Sequence, residues 1–349
     1  MHSWPRSAAA NSRTTGSREQ GGADTRFQPV RQRRGARAAR PEGPGAEVVS
    51  ITWGELRRDA EAQLRVMGVS DPAAEARWMI ESVSGMDAAE QLLESETLVT
   101  HRPTAGLDAL LARRAAGEPL QYVLGEWNFC GLDLLVDRRV LIPRPETEIV
   151  AEIAIREVER LGERVGTPDP WSGGLTHYAV ADLGTGSGAL ALALAASLPD
   201  AEVWATDVSD DALAVARANV AAAGTVATRV RVAGGSWFDA LPEAMRGNVL
   251  LVVSNPPYIA AHEHLPPEVI DWEPVGALIA GTTGLEAIEH LIATALDWLD
   301  DAGTLVLELA PHQAEVAADR ARAAGFAEVH LRPDLTGRPR ALVARRRAD

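Results

Sequence analysis

Residues 178–198, YAVADLGTGSGALALALAASL, join a short apolar run to a glycine-rich loop and a second, longer apolar run. The pattern predicts a buried β-strand over residues 178–183 and a helix over 189–198. Glycine permits the tight turn between them and lets a ligand approach the backbone closely. A strand, glycine loop and helix in this order indicate an α/β protein that binds its ligand at the carboxyl ends of parallel strands.

The chain on the C-terminal side of this segment continues the alternation of strands and helices. Short apolar runs predict further strands at residues 202–207, 230–233, 249–254, 304–309, 327–331 and 340–344. Amphipathic stretches predict helices at residues 211–223, 285–299 and 313–324. These elements predict a doubly wound, seven-stranded α/β sheet.

The chain on the N-terminal side of the sheet divides into three parts. Residues 1–47 are rich in Arg and poor in large apolar residues, which predicts a disordered tail. Residues 48–127 contain short amphipathic helices, the first capped by Thr52 with Glu55 at capping-box spacing, and predict a small helical bundle. Residues 128–145 predict a β-hairpin linker around Cys130-Gly131, so that the α/β domain covers residues 146–349.

Charge and cysteine content exclude several classes of protein. Cys130 is the single cysteine, which rules out an internal disulfide and a multi-thiolate zinc site and indicates a reducing compartment. No apolar run reaches about 18 residues, so no membrane span is predicted. Residues 1–47 contain nine Arg and four acidic residues, a net charge of +5. Because the whole chain has a net charge of −15, residues 48–349 have a net charge of −20. So acidic a surface repels a phosphate backbone, and we expect no stable nucleic-acid partner.

The residues around the glycine loop predict an adenosine-ribose site. Asp207 ends the next strand, 21 residues beyond Gly186, where a carboxylate can accept hydrogen bonds from both ribose hydroxyls. Gly184, Gly186 and Ala189 with this acidic residue satisfy the dinucleotide fingerprint. The same layout serves S-adenosylmethionine in methyltransferases. The loop alone therefore leaves both cofactors open.

The segment Asn255-Pro256-Pro257-Tyr258 favours S-adenosylmethionine. It follows the strand at residues 249–254, which neighbours the glycine-loop strand in a doubly wound sheet. The two prolines stiffen the loop, so that the Asn255 carboxamide oxygen and the Pro256 carbonyl can both act as acceptors. Two acceptors suit a planar –NH2 group, and Tyr258 can stack on that group. The segment therefore predicts methyl transfer to an amino or amide nitrogen.

The NPPY segment and the DLGTGSG loop together resemble the S-adenosylmethionine-dependent amino-group methyltransferases. Further segments resemble one branch, the release factor glutamine methyltransferases of the HemK/PrmC type. These segments are PLQYVLG at residues 119–125, VLIPRPETE at 140–148, GSWF at 235–238 and Glu273-Pro274. The resemblance covers roughly residues 50–346 and implies a class I methyltransferase fold with a helical domain that grips the protein substrate.

The resemblance also implies a role for each site residue. Gly184, Thr185, Gly186, Ser187 and Gly188 would line the methionine end of S-adenosylmethionine, Asp207 would bind its ribose and Trp237 its adenine. Asn255, Pro256, Pro257 and Tyr258 would hold the substrate glutamine, with Asn255, Pro256 and Tyr258 as the catalytic residues and Asn255 also in contact with the cofactor. A loop at residues 143–148 would lie near the mouth of the site. The implied partner is a class 1 peptide chain release factor, methylated in its Gly-Gly-Gln loop by a monomeric cytoplasmic enzyme.

The sequence also leaves an alternative activity open and contains two charged segments outside the predicted site. An adenine-N6 or rRNA amino-methyltransferase is the alternative activity, because an exocyclic amine fits the same two acceptors. No metal is expected, since the spacing of His262-Glu263-His264 predicts a solvated loop rather than a ligand set. Arg345, Arg346 and Arg347 are predicted to form a solvated end.

Overall fold

A computed structural model describes residues 48–161 and 178–347 of the chain. The prediction of a disordered tail falls on residues 1–47 and lies outside the described residues. The N-terminal part is helical, with one small antiparallel strand pair. Its elements are β1 (Val48–Thr52), α1 (Trp53–Val66), α2 (Pro72–Ser84), α3 (Ala88–Leu93), β2 (Leu98–Thr100), α4 (His101–Ala115) and α5 (Leu120–Leu124).

Side-chain caps determine where the first helices begin and end. The Thr52 hydroxyl accepts from the Glu55 backbone N–H, and the Glu55 carboxylate accepts from the Thr52 N–H, as the sequence predicts. The Asp71 side chain caps α2 by accepting from the Ala74 N–H. The apolar faces of α1, α2 and α4 then pack on one another around a core of their own.

A β-hairpin connects the helical part to the sheet. Its strands are β3 (Glu126–Phe129) and β4 (Leu132–Leu135), joined by Cys130 and Gly131 with positive φ angles. The first strand begins two residues before the predicted start at residue 128, because left-handed Gly125 ends α5 and leads directly into it. The Asn219 side chain fastens the hairpin to the rest of the molecule, accepting from Leu135 N at 2.7 Å and donating to the Leu135 carbonyl at 3.0 Å.

The remaining strands and helices build an α/β unit. Its strands are β5 (Tyr178–Leu183), β6 (Ala201–Asp207), β7 (Val230–Gly234), β8 (Val249–Ser254), β9 (Ile259–Ala260), β10 (Ile279–Gly281), β11 (Leu299–Glu308), β12 (Glu328–Pro333) and β13 (Pro339–Arg345). Its helices are α6 (Pro145–Leu161), α7 (Ala189–Ser197), α8 (Asp210–Ala222), α9 (Pro267–Ile270), α10 (Glu286–Trp298) and α11 (Ala314–Ala324).

Seven of these strands form the predicted doubly wound sheet, in the order β12-β13-β11-β8-β5-β6-β7. β13 runs antiparallel to both of its neighbours, and the other pairs are parallel. The direction of winding reverses between β5 and β8, so the loops that follow these two strands diverge and leave a crevice. Buried side chains of α6 and α7 cover one face of the sheet, and those of α10 and α11 cover the other.

Three further features of the fold differ from the sequence prediction. The stretch at residues 143–148, predicted as a loop, contains the first turn of α6, because Pro145 starts the helix and Glu146 and Glu148 complement its positive end. β11 begins at Leu299, five residues before the predicted strand, with an irregular register between Leu299 and Thr304.

The third difference concerns Arg345, which is not part of a solvated end. Its side chain is buried and binds the Glu157 carboxylate of α6 through two hydrogen bonds, of 2.8 and 3.0 Å. It also donates to Glu328 of β12 at 2.6 Å.

Within residues 48–161 and 178–347, no helix has the length and apolar character needed to cross a membrane.

Candidate active site

The loop at residues 184–188 joins β5 to α7 and is held by backbone hydrogen bonds. Gly184 N and Thr185 N each donate to the carbonyl of Thr206 in β6, at 2.8 Å. Gly184, Gly186 and Gly188 have φ angles of 76°, 56° and 84°, which is the left-handed conformation that favours glycine. The backbone of this loop therefore favours glycine at all three positions.

Asp182, the penultimate residue of β5, supports the loop from within the protein. Its side chain is completely buried, and its Oδ2 atom accepts from the Thr185 hydroxyl at 2.6 Å and from the Ala191 N–H at 3.0 Å. The carboxyl group thereby caps the first turn of α7. Burial raises the pKa of Asp182 to about 7, against the lowering effect of these two hydrogen bonds.

Asp207 lies at the end of β6 and faces the glycine loop. Its Oδ2 atom accepts from Gly186 N, and its Oδ1 atom accepts from Ser209 N, both at 2.9 Å. These bonds fix the carboxylate at the wall of a cavity of about 320 Å³, here called the glycine-loop cavity. Predicted site residues in its lining are Gly184, Gly186, Asp207, Trp237, Asn255 and Pro257.

The other predicted loop residues have structural contacts rather than places in the cavity wall. Thr185 is bonded to Asp182, and Ser187 offers its carbonyl to the Asn219 side chain at 2.8 Å. Gly188 is the N-cap of α7. Asn219 therefore connects the glycine loop to the hairpin as well as to its own helix, α8.

Trp237 has an unusual backbone conformation beside the cavity. Its φ angle is 49°, in the left-handed region that bulky side chains rarely adopt. A Cβ atom placed on Gly184 would lie 3.4 Å from the Trp237 ring, so the ring lies over the glycine loop. Strained backbone of this kind is concentrated at functional sites.

The NPPY segment follows β8 on the opposite side of the crevice. Ser254 anchors the end of β8 to β5 by donating to the Leu183 carbonyl at 2.5 Å. Asn255 lines the glycine-loop cavity and also a second cavity of about 650 Å³. Pro256 and Tyr258 line only the second of these two cavities. The two cavities thus adjoin at Asn255, with Leu141 and Ala277 also lining both.

A hydrogen-bonded group of side chains surrounds Asn255. Its Nδ2 atom lies 3.1 Å from the Thr147 hydroxyl, which lies 2.7 Å from Oε2 of Glu308. The Tyr258 hydroxyl donates to the other oxygen of Glu308 at 3.4 Å. Burial raises the pKa of Glu308 to about 7, and it also raises the pKa of the Tyr258 phenol.

The start of α6 forms part of the second cavity. Arg144, Pro145 and Glu146 line it, which places this turn next to the NPPY segment. Arg144 forms an ion pair with the buried Glu273 carboxylate, whose second oxygen accepts from Ile142 N at 3.3 Å. Burial raises the pKa of Glu273, opposed by Arg144.

The sequence alone indicates no role for Asp182, Thr147 or Glu308. Each carried a weak signal: Asp182 and Glu308 are acidic residues within otherwise apolar strand sequences, and Thr147 lies in the PRPETE motif. The decisive information is spatial, because Thr147 and Glu308 are 161 residues apart in sequence.

The crevice between β5 and β8 defines the class of protein. A glycine loop faces an Asn-Pro-Pro-Tyr segment across the switch point of a seven-stranded sheet whose β13 runs antiparallel to its neighbours. This is the class I methyltransferase fold. Residues 174–270 match the family model of the methyltransferase small domain, and residues 55–125 match that of the PrmC N-terminal domain.

Comparison with known proteins identifies the family within this class. A release factor glutamine methyltransferase of Deinococcus radiodurans is 38% identical over 294 residues, covering 84% of this chain and 98% of the relative. Another, of Bordetella pertussis, is 40% identical over 267 residues, covering 76% and 92%. The chain belongs to the release factor glutamine methyltransferase family.

A solved structure of a release-factor-specific protein-(glutamine-N5) methyltransferase from Alicyclobacillus acidocaldarius is also similar. It is 27% identical to this chain, with a TM-score of 0.35. The match covers 59% of this chain and 95% of that structure's chain.

Proposed function

We propose that this protein transfers the methyl group of S-adenosylmethionine to the side-chain amide nitrogen of the glutamine in the Gly-Gly-Gln loop of class 1 release factors. One observation carries the proposal: Asn255 lies where the glycine-loop cavity meets the second cavity. A cofactor in the first and a glutamine side chain in the second would meet at this residue. Membership of the family supplies the identity of the protein substrate.

The glycine-loop cavity has features that fit S-adenosylmethionine. Its volume is within the roughly 300–1,000 Å³ of ligand sites. Gly186 has no atom within 4 Å of the place where a Cβ would lie, so its backbone is open to a ligand. Asp207 would accept from the ribose hydroxyls, Trp237 would contact the adenine, and Gly184 and Gly186 of the glycine loop would hold the methionine end. When bound, the cofactor supplies an electrophilic sulfonium methyl group.

The NPPY segment would position the acceptor nitrogen. An amide nitrogen is a poor nucleophile because its lone pair is delocalised, so orientation and electrostatics must supply most of the rate enhancement. The Asn255 Oδ1 atom and the Pro256 carbonyl would accept one N–H bond each, and Tyr258 would stack on the amide plane. The reaction forms an N–CH3 bond, breaks an S–CH3 bond and releases one amide proton to water.

The helical bundle and the location of the protein follow from the same proposal. Residues 48–127 would hold the release factor while its loop enters the second cavity. Release factors act in translation, so the proposal places the enzyme in the cytoplasm.

Methyl transfer to a purified release factor tests the proposal directly. Incubation with isotopically labelled S-adenosylmethionine, followed by mass spectrometry of the release-factor peptides, is expected to locate one methyl group on the Gly-Gly-Gln glutamine. A release factor carrying Ala in place of that glutamine is the matched control and is expected to take up no label. Label on another residue, or on rRNA but not on the release factor, would refute the proposed substrate.

A further inference from the structure

The orientation of the Asn255 carboxamide decides whether it can serve the proposed reaction. The two ends of a carboxamide have nearly the same shape, so its hydrogen-bond partners determine which end faces outward. An oxygen facing the substrate amide would accept an N–H bond. If the Asn255 –NH2 group faced the substrate instead, two N–H donors would meet and the substrate amide would have no acceptor on Asn255.

The hydrogen bonds around Asn255 have a fixed direction when Glu308 is ionised. A carboxylate can only accept, so the Thr147 hydroxyl must use its single proton in the 2.7 Å bond to Glu308 Oε2. The Thr147 oxygen then has only acceptor capacity left for Asn255. The Asn255 atom at 3.1 Å must therefore be Nδ2, which leaves Oδ1 as the opposite end of the group.

We propose that Thr147 and Glu308 are positioning residues that fix the Asn255 carboxamide with its oxygen towards the substrate amide. The inference rests on the proposed function for its substrate, but the arrangement itself involves only residues of this chain. Thr147 and Glu308 are 4% and 1% exposed, so water does not compete for these bonds.

Protonation of Glu308 would remove the directional constraint. The protonated carboxyl could donate to the Thr147 oxygen, and the Thr147 proton would then be available to Asn255 Oδ1, which permits the flipped carboxamide. Burial raises the pKa of Glu308 to about 7. The Thr147 hydroxyl, the Arg340 charge and the Tyr258 hydroxyl oppose this shift, and the Glu146 charge adds to it. The orientation of Asn255 should therefore change near neutral pH.

Two substitutions of Thr147 separate its hydroxyl from its volume. Thr147→Val keeps the shape and removes the hydroxyl, and we expect kcat to fall about 10- to 100-fold, as when a group that orients a contacting residue is lost, which is less than the roughly 10²- to 10³-fold for the contacting residue itself. Thr147→Ser keeps the hydroxyl and is expected to restore kcat to within about threefold. The KM for S-adenosylmethionine is expected to be the same in both variants. Equal kcat values for the Val and Ser variants would overturn the proposal.

The pH profile of kcat tests Glu308. In the wild type, kcat is expected to rise as the pH increases through about 7, because the ionised carboxylate is the form that orients Asn255. Glu308→Gln is expected to lower kcat and to remove this limb of the profile, since Gln does not titrate. A limb that persists unchanged in the variant would come from another group, such as Asp182, and would overturn the assignment to Glu308.

A spectroscopic measurement separates this inference from the proposed function. The chain has only five Asn residues, so its side-chain –NH2 signals can be resolved by nuclear magnetic resonance after ¹⁵N-Asn labelling. Asn255→Ala identifies the Asn255 signal, which is expected to shift across pH 7 in the wild type and not in Glu308→Gln. A signal that does not change with pH would overturn the inference. A shift in a wild-type protein that methylates no release factor would refute only the proposed function.

Discussion

Asn255 is held by a neighbouring side chain and also lines both cavities, and the proposed reaction depends on both features. Its Nδ2 atom is held by Thr147, while the residue itself lines both cavities. Asp207 lies on the other side of the crevice, and backbone N–H groups hold both of its carboxylate oxygens. It lines the glycine-loop cavity and not the second cavity. At the scale of single residues, we therefore expect substrate orientation and cofactor binding to be separable by mutation.

Asn255→Ala should abolish most turnover and leave cofactor binding nearly intact. The lost carboxamide orients the acceptor nitrogen, so kcat is expected to fall about 10²- to 10³-fold, as when an oxyanion donor is removed. Steady-state kinetics with a release factor and calorimetric titration with S-adenosylmethionine measure the two effects. Asn248→Ala, at an exposed Asn, is the control; turnover by Asn255→Ala similar to that control would contradict the acceptor role.

Asp207→Ala should have the opposite pattern and weaken cofactor binding. A hydrogen bond to a charged group contributes roughly 1.5–3 kcal/mol, so the Kd for S-adenosylmethionine is expected to rise about 10- to 100-fold. Calorimetry measures the change, with Asp211→Ala, at an exposed residue of α8, as the control. Wild-type protein that binds NAD and not S-adenosylmethionine would reverse the choice between the two cofactors.

The sequence predicts site residues that lie within one continuous motif and misses those that meet only in space. The glycine loop, Asp207 and the NPPY segment stand at strand ends and could be located from strand order. Thr147 reaches Asn255 across 108 residues and Glu308 across 161, on elements whose neighbours no local pattern specifies. Their relation to the site required the fold.

At the scale of elements, the same contrast applies to strands and helices. Buried parallel strands are continuous apolar runs, so residues 178–183 and 249–254 were predicted with their observed bounds. Helix α6 was not predicted, because Pro143 and Pro145 resemble the end of an extended segment as well as the start of a helix. The buried role of Arg345 was missed because Glu157, its partner, is 188 residues away.

The Glu157–Arg345 pair should contribute strongly to the attachment of α6 to the sheet. Arg345→Met would leave the buried Glu157 carboxylate with Arg160 of α6, at 3.3 Å, as a remaining partner. We therefore expect the free energy of unfolding to fall by about 3 kcal/mol, the lower end of the range for breaking a buried ion pair. Arg347→Met is the matched control, since its ion pair with Asp301 is about two-thirds exposed on both sides, and we expect less than about 1 kcal/mol. Urea denaturation measures the free energy of unfolding of both variants. Equal decreases would contradict the prediction that the buried ion pair of Arg345 contributes more than the exposed one of Arg347.

At the scale of the whole molecule, two buried carboxyl groups link stability to pH. Burial raises the pKa of Asp182 from 3.8 and that of Glu308 from 4.5, each to about 7. Between about pH 4 and 7 the folded protein retains protons that the unfolded chain releases. Their stabilising contribution is therefore complete below pH 4 and is lost as the pH rises through 7.

Stability and turnover should consequently change in opposite directions with pH. The free energy of unfolding is expected to fall between about pH 4 and 7, and Glu308→Gln should reduce the steepness of this fall. Glu243→Gln, at an exposed residue, is the control and should follow the wild type. Denaturant titrations at several pH values measure the slopes; a variant slope equal to that of the wild type would mean that Glu308 does not titrate in this range.

The position of β13 also constrains the order in which the protein can be assembled during synthesis. β13 lies between β11 and β12, both of which precede it in the chain, so β12 has no place in the sheet until residues 339–345 have left the ribosome. The glycine loop and NPPY segment emerge earlier and must wait beside an incomplete sheet edge, where unpaired strands are prone to aggregate. Until β13 joins the sheet, β11 therefore remains an edge strand, with unpaired backbone groups on the side that β13 later covers.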